Sequence, residues 1–203
     1  MEQLKHYPTI GVCGLDCGLC PRYYTTGTSR CPGCGGPGFS DKHPSCSFIT
    51  CCVKTKGLEV CGECAEFPCA KFKTEQEYRR AESSSYPPGR KVLSNLVSIK
   101  EKGFNEFMKQ QRQRIRLLEI MIDEYDDGRS KSFFCRAVAL LDLVALRESL
   151  RRARRARADD VRGSAKILKG ILEEAATCSK IELRGSKKCR RGAQASASSE
   201  QQP

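Results

Sequence analysis

Eleven of the fourteen cysteines in this 203-residue chain lie between Cys13 and Cys69. They read CGLDCGLC, then CPGCGG, HPSCSFITCC and CGECAEFPC. A stretch so dense in Cys, Gly and Pro cannot bury enough apolar surface to fold unaided and needs a staple. The staple is either disulfide or metal. The N-terminus, MEQLKHYPTI, has neither the basic nor the apolar region of a signal peptide, so a reducing cytoplasm is expected. Knuckle spacings in that compartment favour metal thiolates over disulfides.

Three cysteine pairs share the two-residue spacing of a knuckle: Cys17/Cys20, Cys31/Cys34 and Cys61/Cys64. Zinc takes four thiolate or imidazole ligands in a tetrahedron, often as two such knuckles. Cys17, Cys20, Cys31 and Cys34 form one complete set. Cys46, Cys51, Cys52, Cys61, Cys64 and Cys69 exceed what a second ion needs, so about two zinc ions are expected. Cys13 and His43 could bring the count to three. Spacing leaves the pairing open, because knuckles can interleave. Cys52 adjoins Cys51, and adjacent residues rarely reach one ion. His43 precedes Pro44 and reads first as a loop histidine. Cys135, Cys178 and Cys189 stand alone and read as small buried hydrophobes or exposed thiols.

The Cys13-x3-Cys17-x2-Cys20 spacing also occurs around the [4Fe–4S] cluster of radical enzymes that use S-adenosylmethionine. Those enzymes need a large barrel, and no alternation of strands and helices follows here. An iron–sulfur cluster is therefore the alternative metal, without that enzyme class, and an iron–sulfur or thiol redox protein is the alternative function. Taken in order, CGLDCGLC, CPGC, the Cys46–Cys51 step and CGECAEFPC resemble a prokaryotic cysteine-rich domain family of unknown function that is presumed to bind zinc. The resemblance spans about residues 10–75. It implies Cys13, Cys17, Cys20, Cys31, Cys34, Cys46, Cys51, Cys61, Cys64 and Cys69 as ligands. Cys52 and His43 fall outside its pattern, and it implies no activity.

No catalytic constellation accompanies the cysteines. The chain has two histidines, His6 and His43, whereas catalytic zinc sites usually recruit His or carboxylate and keep a position open. Glu63 and Glu66 beside the last knuckle read as solvated. There is no Ser-His-Asp set, phosphate loop or dinucleotide fingerprint. No apolar run approaches the ~20 residues that span a bilayer. The longest, Ala137–Leu146, contains Asp142.

Charge is concentrated at one end. Of a net +12, residues 129–192 alone carry eighteen Lys/Arg against seven Asp/Glu. Arg151, Arg152, Arg154, Arg155 and Arg157 cluster near a helix end, and Lys187, Lys188, Arg190 and Arg191 precede the tail. Such a patch suits nonspecific phosphate contacts with nucleic acid. The alternative is a solvated helix face, and no aromatics are interleaved for base stacking.

The fold expected is a small irregular metal-stabilised module followed by an all-α helical C-terminal region. The module covers 1–82, with a strand stub at Thr9–Val12, a short helix at Ser45–Gly57 and a polar helix at Ala70–Glu82. Residues 83–90 read as a linker. Within a helical region at 91–180, the 3.6-residue apolar period predicts helices at Lys91–Ile99, Phe104–Tyr125, Ser132–Arg157 and Ser164–Thr177. A basic tail at 181–203 is expected to be disordered. The function expected is that of a non-enzymatic binding or scaffold protein with an unidentified protein partner and no membrane attachment.

Overall fold

The computed structural model describes residues 3–43, 45–72 and 91–183. The expected linker, most of the Ala70–Glu82 helix, Cys189 and the basic tail beyond Leu183 lie outside the described residues. Among those described there is no strand. Thr9–Val12 is a turn instead, because Gly11 N–H closes on Leu15 O at 2.7 Å and bends the backbone away from an extended path.

The cysteine-rich part is a succession of tight turns. One-turn 3₁₀ segments cover Cys17–Leu19, Pro21–Tyr24, Gly27–Ser29 and Cys61–Glu63, and the single-turn helix α1 covers Phe39–Lys42. The helix expected at Ser45–Gly57 is a π-helix at Ile49–Thr55. Its wide turns show in Lys56 N–H bonding Cys51 O at 3.1 Å, five residues back.

Five longer helices follow: α2 (Val92–Lys102), α3 (Phe104–Tyr125), α4 (Lys131–Leu140), α5 (Leu143–Arg155) and α6 (Val161–Cys178). Helix α3 has the bounds its periodicity predicts. The single helix expected at Ser132–Arg157 is instead two. Asp142 divides it: its Oδ1 accepts Ala145 N–H at 2.8 Å, an N-cap that starts a new helix. The guanidinium of Arg114 covers the exposed end of α4, donating from Nη1 to Val138 O and Leu141 O at 2.5 and 2.6 Å. Asp160 likewise caps α6 through Gly163 N–H and starts it three residues before the expected Ser164.

The apolar side chains form two clusters. One joins Leu118, Met121, Phe134, Val138, Leu146, Leu150, Leu168 and Leu172 from α3–α6. Leu19 of the cysteine-rich part plugs into it. The other joins Ile10, Val12, Ile49, Val60, Phe67 and Phe72 with Leu96 and Ile99 of α2 and Met108 of α3. Helix α3, about 33 Å long at 1.5 Å per residue, therefore serves both clusters. Two glycines let α2 lie directly on the cysteine turns. A Cβ on Gly14 (φ +89°) would stand 2.4 Å from Val92 O, and one on Gly62 would stand 2.7 Å from Leu96 O. Both flank candidate ligands, Cys13 and Cys61.

No helix among the described residues is long and apolar enough to cross a membrane.

Candidate metal centre

Backbone bonds between distant turns bring the cysteines together. Cys34 N–H donates to Pro8 O and Cys61 N–H to Val12 O, each at 2.9 Å. The second bond sets Cys61 beside Cys13, 48 positions earlier in the chain. Glu63, which reads as solvated in the sequence, accepts Glu59 and Val60 N–H at 3.0 and 3.1 Å and fixes the turn that follows. Lys56 Nζ reaches Glu66 at 2.6 Å and Cys64 Sγ at 3.3 Å. None of the described cysteines is in a disulfide.

The sulfurs fall into two neighbourhoods. Burial pushes the Cys13 thiol up, and the charges of Cys34 and Cys46 add to the effect. Burial also raises Cys17, aided by Cys34, Cys13 and Cys31. These five thiols, Cys13, Cys17, Cys31, Cys34 and Cys46, sit within electrostatic reach of one another. His43 joins their edge with Nε2 3.4 Å from Cys31 Sγ, and its ring stacks on Phe39. In the second neighbourhood Cys51, Cys52, Cys61, Cys64 and Cys69 line a cavity of about 210 Å³ with Phe48, Phe67 and Phe72. The hydrogen bond shared by Cys52 and Cys61 pulls the Cys52 thiol down and pushes the Cys61 thiol up.

Cys20 stands apart. It lies near Cys135 of α4, whose thiol is pushed up to about 12 by burial first and the Cys20 charge second. Cys135 is fully buried, as its isolation in the sequence suggests. Nothing in its spacing, however, announced a neighbour 115 positions away.

As placed, no group of three or more His, Cys, Asp or Glu among the described residues is close enough to hold one ion. The sulfurs share two regions without meeting at a point.

Lys5 is the residue that sequence reasoning missed. Its side chain is 2% exposed, and its ammonium donates to Ile10 O at 2.7 Å. Burial pushes the Cys34 thiol up and the Lys5 charge opposes that rise, while at Cys52, pulled down first by the Cys61 hydrogen bond, the Lys5 charge adds to the fall. Glu59 is the other anion in reach, and its oxygens accept His6 and Tyr7 N–H at 2.9 and 3.2 Å. Those bonds anchor the lead-in that carries Lys5. No periodicity or motif marks a lone lysine at this position.

The arginine cluster is largely engaged. Arg151 pairs with Glu148, Arg152 with Glu174 at 2.7 Å, Arg154 with Glu124 at 3.1 Å, and Arg157 with Glu124 at 4.0 Å. Arg155 has no ion pair among the described residues.

Residues 9–74 match the model of a family described as a protein of unknown function, DUF3795. Neither a curated protein nor a solved structure matches the chain.

Proposed function

We propose that the cysteine-rich third is a thiolate metal module, that its metal is zinc, and that the ions hold a binding surface in shape without taking part in a reaction. The buried ammonium of Lys5 carries this reading. An ammonium this deep costs several kcal/mol unless an anion offsets it. A carbonyl bond satisfies one donor and no charge, and Glu59 offsets the charge only in part, from among its bonds to the lead-in backbone. Zinc-bound cysteines are thiolates, and a four-cysteine site keeps about −2 net charge. The lysine, set within reach of both Cys34 and Cys52, therefore favours a site whose sulfurs are anionic.

On this reading four of Cys13, Cys17, Cys20, Cys31, Cys34 and Cys46 supply one ion. Cys51 or Cys52 supplies a second with Cys61, Cys64 and Cys69. His43 is a reserve ligand beside Cys31. Bound metal would add a cross-link to turns whose small apolar cluster is completed only by α2 and α3.

An iron–sulfur cluster is the second reading, and one observation favours it. The second group of cysteines surrounds a cavity, and a polynuclear cluster needs its thiolates spread around a volume. Elemental analysis and a visible spectrum of anaerobically purified protein separate the two. Colourless protein with about two zinc ions per chain supports the first reading. Brown protein carrying iron and sulfide supports the second, and metal-free folded protein sinks both.

Nucleic-acid binding through Arg151–Arg157 is the weaker proposal, because the glutamates that pair these arginines must be displaced before phosphates can replace them.

A further inference from the structure

A second polar site lies where α2 and α3 meet the first cysteine turn, away from the sulfur cavity. It is a cavity of about 140 Å³, too small for a drug-sized ligand, which needs ~300 Å³ or more. Three of its polar side chains are more than nine-tenths buried: Asp16 (2% exposed), Gln111 (3%) and Asn95 (7%). They also hold one another in place. Gln111 Nε2 donates to Asp16 Oδ1 at 2.9 Å, and Asn95 Nδ2 donates to Gly14 O at 2.9 Å.

Two cations, Lys91 and Arg114, share this cavity with one carboxylate. Both are half-buried, and burial with the other's charge lowers Lys91. Arg114 spends Nη1 on the end of α4, while its Nε and Nη2 have no hydrogen-bond partner among the described residues. The Lys91 ammonium has none either. Asp142 also reaches Arg114 electrostatically but lies outside the cavity, where it caps α5. Like charges held together out of bulk water, with spare donors and one net positive charge, are arranged for an anion.

We infer that this cavity binds a small oxyanion, a phosphate or a short carboxylate, held by the Lys91 ammonium and the free edge of Arg114. Ser98, on the cavity side of α2, supplies a hydroxyl for a remaining oxygen, while Ser94 Oγ donates to Lys91 O at 3.2 Å and steadies the turn that carries the lysine. The site does not depend on the metal reading, since none of these side chains is a sulfur.

The test is thermal unfolding and calorimetric titration of the full chain with inorganic phosphate, acetate and chloride at matched ionic strength. Saturable binding of phosphate or acetate, with chloride inert, is the expected result, and whichever binds names the source. Lys91→Gln should weaken that binding about tenfold or more, the loss expected for one charge-assisted hydrogen bond. Lys169→Gln, on α6 outside the cavity, should leave it unchanged. Arg114 is left intact because it also caps α4. No saturable binding, an equal response to chloride, or full affinity in Lys91→Gln overturns the inference.

Discussion

Replacing Lys5 by methionine distinguishes anionic from neutral sulfurs by the sign of its effect. If the sulfurs near Cys34 and Cys52 are metal-bound thiolates, Lys5→Met leaves buried negative charge unbalanced. The metal-loaded protein should then lose about 3–5 kcal/mol in denaturant unfolding, the usual result of removing one partner of a buried pair. If those sulfurs are neutral, Glu59 offsets the buried ammonium only in part, and Lys5→Met holds or raises stability. The sequence shows which cysteines cluster but cannot show this charge partner, because a buried lysine is recognised only by what encloses it. Cys20 illustrates the same limit. Its knuckle spacing with Cys17 is plain in the sequence, yet the fold sets it beside Cys135 of α4.

At the scale of elements, apolar periodicity identifies the helices well and their ends less well. Helix α3 is legible because its buried Met108, Leu118, Met121 and Tyr125 recur at helical spacing over 22 residues. The break at Asp142 is not, because Leu141 and Leu146 on either side keep the apolar pattern running through it. A cap is a local hydrogen bond, and a hydrophobic period carries no trace of it. Asp142→Ala should therefore cost about 1 kcal/mol of stability, as the loss of an N-cap does, with little change in helical circular dichroism. A cost near zero would mean that packing of Leu141 and Leu146 sets the break. The π-helix at Ile49–Thr55 lay further from reach. Helical content was legible there, but the wider turn depends on where Lys56 N–H finds its acceptor, Cys51 O at 3.1 Å.

Across the whole molecule, the cysteine turns and the helical region share surface that a reading by composition divides. Leu96 and Ile99 of α2 are buried among Ile10, Val12 and Val60, and Lys100 Nζ bonds Phe67 O. A fragment ending at residue 90 should therefore lose native chemical-shift dispersion even with zinc supplied, whereas one ending at residue 125 should keep it for the cysteine turns. Dispersion in the shorter fragment would show that α2 only rests on a module able to fold alone. The apolar period places α2 but does not reveal that it leans on residues some 80 positions earlier, because the contact runs through glycines that leave no hydrophobic mark. The proposed cations would hold together turns whose own apolar cluster is small and borrows Leu96, Ile99 and Met108 from the helices. The most direct measurement is nuclear magnetic resonance of the full chain, under reducing conditions, before and after a chelator removes the metal. The account predicts that amide signals from residues 8–72 collapse on chelation and return with zinc, while those of α4–α6 hold their positions. Unchanged signals across residues 8–72 in metal-free protein would contradict it.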